Sequence, residues 1–515
     1  MIPVRNRRTD MCSHTPCVLC RVLSFVLVIG MLCVVFSACG TSDTTPKETE
    51  MSLVNLSEVD EQTGIPVSWN YGGDTFTFGL TNPEEGISCN DIWVEDDPEQ
   101  YGEPVYDAIR QRNINMSDKY DVNIAVVTAQ SGVTDYRFVV NSVNAGDALF
   151  DAVIVPGITG FRLSLEGYLQ DLALNSYLDL SQEIWDQNFV QSMTLNGHLY
   201  ALVGSFTRMD YQATHAIAFN KHMLKQYEDL PSADDLYEMV RNGTWTLDVM
   251  LSLANQVRGD ANGDGTYTSA DRYGLLANNN SMLAFLQGCG IQIGQRDDNS
   301  ETGVRYNGFS EKINTVWLSI VNAESGYDIR NIDMDFRYEA YPSTMEEMLM
   351  EDRLLFAECT IGQIEQLRRY DIDFGILPIP KYDETQENYI CAAHEDSTLF
   401  LSVPITNLDF ENTGNILTAF SWEGYHVLRP AFYDITLKGK VVQDLESREM
   451  LDIIFSSKSY DLGVFANWAN CQYWIRRAWT EMVFRMAVVY ARFDSRAQRT
   501  IEEQMSMAPY AKWTP

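Results

Sequence analysis

Positive charge is scarce in this 515-residue chain, in which 37 lysines and arginines face 72 aspartates and glutamates for a formal net charge of −35. A surface so acidic repels nucleic acid and anionic lipid headgroups, which argues against both as partners and leaves a neutral or cationic ligand. Histidine is equally sparse. The six, at 14, 198, 215, 222, 394 and 426, show no paired metal-ligand spacing, and an Asp near His394 is expected by chance among so many acids. The chain lacks a Gly-x-Ser-x-Gly elbow, a His-Glu-x-x-His helix and a phosphate-binding Gly-Lys-Ser/Thr loop, so the enzyme classes those motifs define are not indicated. Its ten cysteines make no disulfide framework: 12, 17, 20 and 33 fall in the first 38 residues, and past Cys39 only 89, 289, 359, 391 and 471 remain, an odd and widely spaced set. They read as buried small hydrophobes.

Long apolar runs are confined to Arg21–Gly40, RVLSFVLVIGMLCVVFSACG, where Val22–Ala38 is 17 residues, short of the roughly 20 that cross a bilayer. Arginines at 5, 7, 8 and 21 precede it, the pattern of a secretion signal. The run FSAC places Phe36 three residues before Cys39 with small Ser37 and Ala38 between, and it resembles the lipobox of bacterial lipoproteins. That resemblance implies an acylated Cys39 as the first mature residue and a protein lipid-anchored at the outer face of the cell membrane. Removal of residues 1–38 takes four arginines and one aspartate, so the mature chain is more acidic still. The segment GTSDTTPKETE that follows is polar and turn-rich, suited to a flexible tether over 39–70, with folding expected from about Tyr71.

About 440 residues remain, enough for two or three domains with large cores. FTFGL (76–80) reads as a strand, Val105–Tyr120 as an amphipathic helix and VNIAVV (122–127) as a second strand; a helix over Tyr136–Ala145 and a continuous apolar strand in LFDAVIV (149–155) follow. This βαβαβ order predicts an α/β fold, an open sheet with helices on both faces and ligands beyond the strands' carboxyl ends. The loops after Leu80 and Val155 carry Asn82, Trp93, Gly157 and Thr159. Asn196-Gly197 marks a tight turn before an apolar segment, and the chain is expected to cross to a second lobe around Gly204–Gln212. Asp373–Pro380, whose two prolines forbid helix, suits the return crossing. Trp474, Trp479, Met482, Met486 and Tyr490 fall at helical spacings and read as core.

DANGDGTYTSAD, Asp260–Asp271, follows the EF-hand loop pattern. Side-chain oxygens fall at Asp260, Asn262, Asp264, Thr268 and Asp271, Thr266 supplies a backbone carbonyl at the seventh position, and Gly265 occupies the sharp turn. Hard oxygen donors at this spacing suit a structural calcium ion, although Asp271 stands where a longer Glu is usual.

The succession AGDALFDAVIV, GYLQDL, YLDLS, LNGHLYAL, IAFNKHML, RNGTWTLDVML, ANGDGTYTSADRYGL, LFAE, FGILPIPKYDETQ and SVP resembles the extracellular solute-binding proteins of bacterial ABC importers, of the type that mostly carries sugars. The resemblance runs from about Phe76 to Leu451. It implies a two-lobe periplasmic-binding-protein-like fold, with one lobe over 71–204 and 373–425 and the other over 205–372 and 426–515, joined by a multi-strand hinge that closes on solute. It implies no catalysis, a sugar or oligosaccharide ligand and an ABC permease as partner. Ring stacking and hydroxyl bonding by acids and Arg then point to Trp93 and Thr159 in the first lobe, Arg208 and Asp210 at the crossing, and Asp396 after the return strand. A secreted, calcium-stabilised glycoside hydrolase and a peptide binder of the same fold are the alternatives.

Overall fold

The computed structural model describes residues 59–81, 91–129, 136–335, 339, 342–441, 444–506 and 509–510. Cys39, the leader, most of the tether, Asn82 and Cys89 lie outside these residues. The remaining body cysteines, 289, 359, 391 and 471, are buried free thiols, and burial raises the pKa of each.

The chain opens with β1 (Thr75–Leu80), α1 (Pro104–Tyr120), β2 (Asn123–Thr128), α2 (Arg137–Ala145), β3 (Ala152–Pro156) and α3 (Gly157–Leu165), the order expected from the sequence. Pro104 occupies the first turn of α1, where its missing N–H is no loss, and Asp121 ends it in the left-handed region at φ 54°. β3 is buried at every position, as its unbroken apolar sequence requires. Residues 59–70, assigned to the tether, already pack on this body: Ile65 is buried, Gln182 Nε2 donates to the Thr63 carbonyl at 3.0 Å and Trp69 Nε1 to Asn412 Oδ1 at 2.9 Å. Asn196 and Gly197 both take positive φ, 54° and 90°, so the predicted tight turn forms.

A short helix α4 (Met209–Gln212) lies in the crossing and leads to β4 (His215–Asn220), α5 (Leu247–Val257), β5 (Tyr273–Ala277), α6 (Ser281–Gly288), β6 (Ile329–Asn331), β7 (Leu354–Thr360), α7 (Ile361–Leu367) and β8 (Phe374–Leu377). Beyond these come β9 (Cys391–Ala392), β10 (Leu399–Ser402), α8 (Phe410–Glu423), two π-helical stretches over Gly424–Leu428 and Ala431–Val441, α9 (Leu445–Ser456), β11 (Lys458–Ser459), α10 (Leu462–Phe465), α11 (Cys471–Thr480) and α12 (Met486–Tyr490).

Two sheets carry the architecture. The first has the order β10-β3-β1-β2, parallel except for β10, and the second the order β8-β4-β7-β5-β6, in which β5, β6, β7 and β8 run in one direction and β4 alone is antiparallel, between β8 and β7. Asp373–Pro380 therefore does not form the return crossing. Its residues Phe374–Leu377 pair with β4 inside the second sheet, because the apolar FGIL run buries on both faces there, and the chain returns only between Pro378 and Leu399. Trp479, Met486 and Tyr490 are core, as their spacing predicts, but Met482 at φ 51° breaks the run into α11 and α12.

The hinge between the sheets is polar. β9 pairs with β11, and Ala393 and Thr214 bridge across to the start of β4. His215 Nδ1 lies 2.6 Å from Glu358 Oε1, its ring stacks on His394 with centroids 5.2 Å apart, and His394 Nε2 lies 3.0 Å from the Asn280 amide. Burial disfavours both imidazolium forms; at His215 the Glu358 carboxylate outweighs it and raises the pKa, whereas at His394 burial wins and the pKa falls to about 4. A His394 pKa below its unfolded 6.5 means that the unfolded chain takes up a proton first as pH falls. Its contribution to stability is thus complete above pH 6.5 and lost as pH drops toward 4. The stability advantage of the native chain over a His394→Asn variant should shrink across that window in thermal melts at stepped pH; a difference that is flat with pH would refute the assignment.

Candidate functional site

A cavity of about 880 Å³ opens beyond the carboxyl ends of β1 and β2, at Leu80, Val126 and Thr128. Trp93 and the loop to Gln100 form one wall and the first turns of α1, with Tyr106 and Ile109, another; Glu365 of α7 and Arg368 just past it face them from the second lobe. Ligand space at the strands' carboxyl ends, between two sheets, is where an open α/β sheet places it.

Its side chains are positioned by buried polar groups. Asp91, 1% exposed, accepts from the Arg208 backbone N–H at 2.9 Å, from Arg208 Nε at 3.0 Å and from Thr207 Oγ1 at 3.1 Å. The charge of Asp91 is the main reason that the Arg208 pKa is raised, ahead of the opposing effect of burial. Arg208 thereby enters the cavity with its orientation fixed. Gln212 Nε2 donates to Glu365 Oε2 at 2.7 Å and ties the crossing to the opposite wall. The Trp93 loop is braced by Tyr106, whose hydroxyl donates to the Glu95 carbonyl at 2.5 Å and accepts from the Asp97 N–H at 2.6 Å. Trp93 itself is 42% exposed, a large aromatic face at the rim of a polar cavity. Glu95, Asp96, Asp97 and Glu103 fringe it, with Arg110 paired to Asp96 at 2.8 Å.

Of the residues singled out in the sequence, the structure brings Trp93 and Arg208 together on this cavity. Asp210 faces elsewhere. Its carboxylate is enclosed with Lys458 and Asp186, and burial, against the pull of Lys458, pushes its pKa up to about 6. Successive helical residues rotate by about 100°, so Asp210 lies about 200° around the crossing helix from Arg208 and points to its other side. Thr159 is 4% exposed in the first turn of α3. The loop it follows is covered: a Cβ on Gly157 would come within 2.4 Å of the Phe465 ring, so α10 settles directly on the glycine. Asp396 stands 3.6 Å from Arg476, which is held by buried Glu395, and does not line the cavity. Tyr106, Glu365 and Arg368 escaped the sequence reading. Tyr106 was legible only as a helix residue, and nothing in the local sequence of Glu365 or Arg368 signals that the second lobe will bring them opposite Trp93.

The Asp260–Asp271 loop is closed by its own hydrogen bonds. Asp260 Oδ2 accepts from the Gly265 N–H at 2.8 Å, Asp264 Oδ1 from Thr266 at 2.7 Å, and buried Asp271 from Ala261 at 2.9 Å and Thr268 at 2.8 Å. Gly263 and Gly265 take φ 73° and 79°, which the sharp turn demands. The donor types suit a hard cation, yet the carboxylates bind loop N–H groups rather than converge; among the described residues no three His, Cys, Asp or Glu side chains form a cluster able to hold a metal. Nor is any helix among them long and apolar enough to cross a membrane.

No family model and no curated protein matches the sequence. Solved structures do match the fold. The sugar-binding protein MalE of Xanthomonas citri is 14% identical, with 84% of this chain and 98% of that chain covered at a TM-score of 0.54. A cyclo/maltodextrin-binding protein complexed with maltotetraose is 11% identical with the same coverage, 84% and 98%, and TM-score, 0.54. An ABC substrate-binding protein from Listeria monocytogenes, in complex with cycloalternan, is 11% identical over 84% and 98% at 0.50. The chain thus has the two-lobe, periplasmic-binding-protein-like fold of the bacterial extracellular solute-binding proteins.

Proposed function

We propose that this chain is an extracytoplasmic solute-binding protein that closes its lobes on a sugar or oligosaccharide and passes it, unaltered, to an ABC permease. The observation that carries the reading is the cavity itself: an exposed Trp93 face, a pre-oriented Arg208 and carboxylates from both lobes surround about 880 Å³ at the strands' carboxyl ends. Stacking of sugar C–H faces on an aromatic ring, with hydroxyls bonded by carboxylates and guanidinium, is the chemistry such a wall offers. Net negative charge at the rim disfavours anionic solutes. The fold's neighbours solved with maltotetraose and cycloalternan support the same ligand class.

Ligand that binds the folded chain alone should add about 2.7 kcal/mol of stability at 100 times Kd. A thermal-shift screen of saccharides, amino acids and short peptides should return saccharides, recovered intact, and Trp93→Ala should weaken the best one by about 30-fold, or 2 kcal/mol. Hits confined to peptides would overturn the sugar assignment, and turnover of the solute abolished by loss of one carboxylate would make the chain a hydrolase.

Cys39, three residues after Phe36 at the end of the apolar run, is proposed as the acylated anchor that holds the protein at the outer face of the membrane. Cys39→Ala should abolish acyl labelling and shift the protein from the membrane to the soluble fraction; unchanged retention would refute the anchor.

Calcium is proposed for the Asp260–Asp271 loop, with Asp260, Asn262, Asp264, Thr268, Asp271 and the Thr266 carbonyl as donors once the carboxylates turn from the loop N–H groups. Chelation should lower the melting temperature, calcium should restore it, and Asp264→Ala should erase the difference. Superimposable melts with and without chelator would leave a hydrogen-bonded acidic turn.

A further inference from the structure

The side of the crossing segment opposite Arg208 borders a second cavity, of about 400 Å³. One wall comes from the first lobe, through Glu183–Asn188 and Ser205. A second is the π-helical segment after α8, with Tyr425, Arg429 and Tyr433, which packs on α1. The third is the end of α9, with Asp452, Phe455 and Ser456, and α9 packs on β8 of the second sheet. Asp210, Tyr211 and Lys458 of the hinge form the floor. The cavity therefore straddles the hinge from behind, separated from the larger one by α4. π-Helical winding is rare and recurs at functional sites, and here two π-helical stretches flank Arg429 and bring it to one space with Tyr425 and Tyr433.

The walls define the ligand by exclusion. Asp186 and Asp210 share Lys458, whose Nζ lies 2.5 Å from Asp186 Oδ2, while Asp452 pairs with Lys438 at 2.7 Å and Glu183 adds a further negative charge. The remaining field is negative and repels an anion. The carboxylates that would attract a cationic ligand already hold Lys458, Lys438 or, at Glu183, the Tyr425 hydroxyl, and cations already lie over the rings: Arg429 4.6 Å over Tyr425, Lys438 4.4 Å over Tyr433 and Lys458 5.4 Å over Tyr211. What stays open is a hydroxyl-binding surface on an aromatic frame. Tyr211 and Tyr433 stack at 5.5 Å with Phe455 edge-on to both, at 4.8 and 5.4 Å. Arg429 donates Nε to the Tyr211 hydroxyl at 2.7 Å, also hydrogen-bonds Tyr425 and makes no ion pair with a carboxylate among the described residues, so part of its five-donor guanidinium remains for a ligand hydroxyl. We propose that this rear cavity is a second binding site, for a neutral saccharide of one or two rings, with Arg429 as its hydroxyl donor.

The test uses saturation-transfer NMR on the full mature chain with D-glucose, D-galactose, D-mannose, D-xylose and N-acetylglucosamine as probes. At least one probe should give transfer that survives Trp93→Ala, which impairs the front cavity, and that falls at least tenfold in Arg429→Gln. Should Arg429→Gln melt early, Ser456→Phe plugs the same cavity from its exposed rim and should abolish the transfer equally. No transfer from any probe, or transfer that persists in both rear-cavity variants, overturns the proposal. Failure of the front-cavity reading is distinguishable, since Trp93→Ala would then leave oligosaccharide binding unchanged whatever Arg429→Gln does.

Discussion

A single buried guanidinium organises the approach to the cleft. Arg112, fully buried in α1, donates to the Phe206 carbonyl at 2.9 Å, to the Ile92 carbonyl at 2.8 Å and to the Asp91 carbonyl at 2.5 Å, and its charge lies 4.0 Å over the Phe420 ring. Burial drives its pKa down and the nearby Asp91 charge opposes that. An uncompensated ion in such a place costs several kcal/mol, so the site exists because three carbonyls and an aromatic face replace water at once. The consequence is topological. One side chain joins a helix of the first lobe, the loop that carries Trp93 and the segment that crosses to the second lobe. With Asp91 fixed through its carbonyl, its carboxylate is left to hold Arg208, so the orientation of a cavity-lining guanidinium traces back to a fully buried residue.

The hinge itself follows the same logic of directional contacts. Apolar packing tolerates small rotations, whereas charge-assisted bonds fix angles as well as distances. Lys458 between Asp186 and Asp210, with Tyr460 donating to Asp186 at 2.9 Å, joins the crossing segment, the first lobe and β11; His215 with Glu358 joins β4 to β7. A well-packed apolar substitute for such pairs is often no less stable, so their presence is better explained by the geometry they impose than by the energy they supply.

What the sequence made legible was whatever depends on local periodicity. β1 through β3 and their helices came from apolar patterning, and Asn196-Gly197 from turn chemistry, because each is decided within a few residues. Asp373–Pro380 was misplaced for the converse reason: two prolines exclude helix but cannot say whether an extended segment crosses between sheets or joins one, and FGIL joins the second by pairing with β4. Trp93 and Arg208 meet at the front cavity because one lies in the loop that follows β1 and the other in the crossing segment. Asp210 was read with Arg208 as cleft-facing, yet two residues of helical rotation carry it to the far side of the segment. Thr159 fails through a partner 306 residues away, Phe465, which covers Gly157 because glycine offers no side chain to hold it off.

The two cavities share one element of the fold. At the front, Arg208 is committed to Asp91 and the Trp93 loop to Tyr106, so the fold itself orients both. Glu365, on the opposite wall, is tied by Gln212 to the crossing segment rather than to the first lobe's sheet. The front cavity is thus walled by both lobes with the crossing segment between them, through Arg208, and the same segment presents Asp210 and Tyr211 to the rear. A change in its path cannot alter one cavity without altering the other.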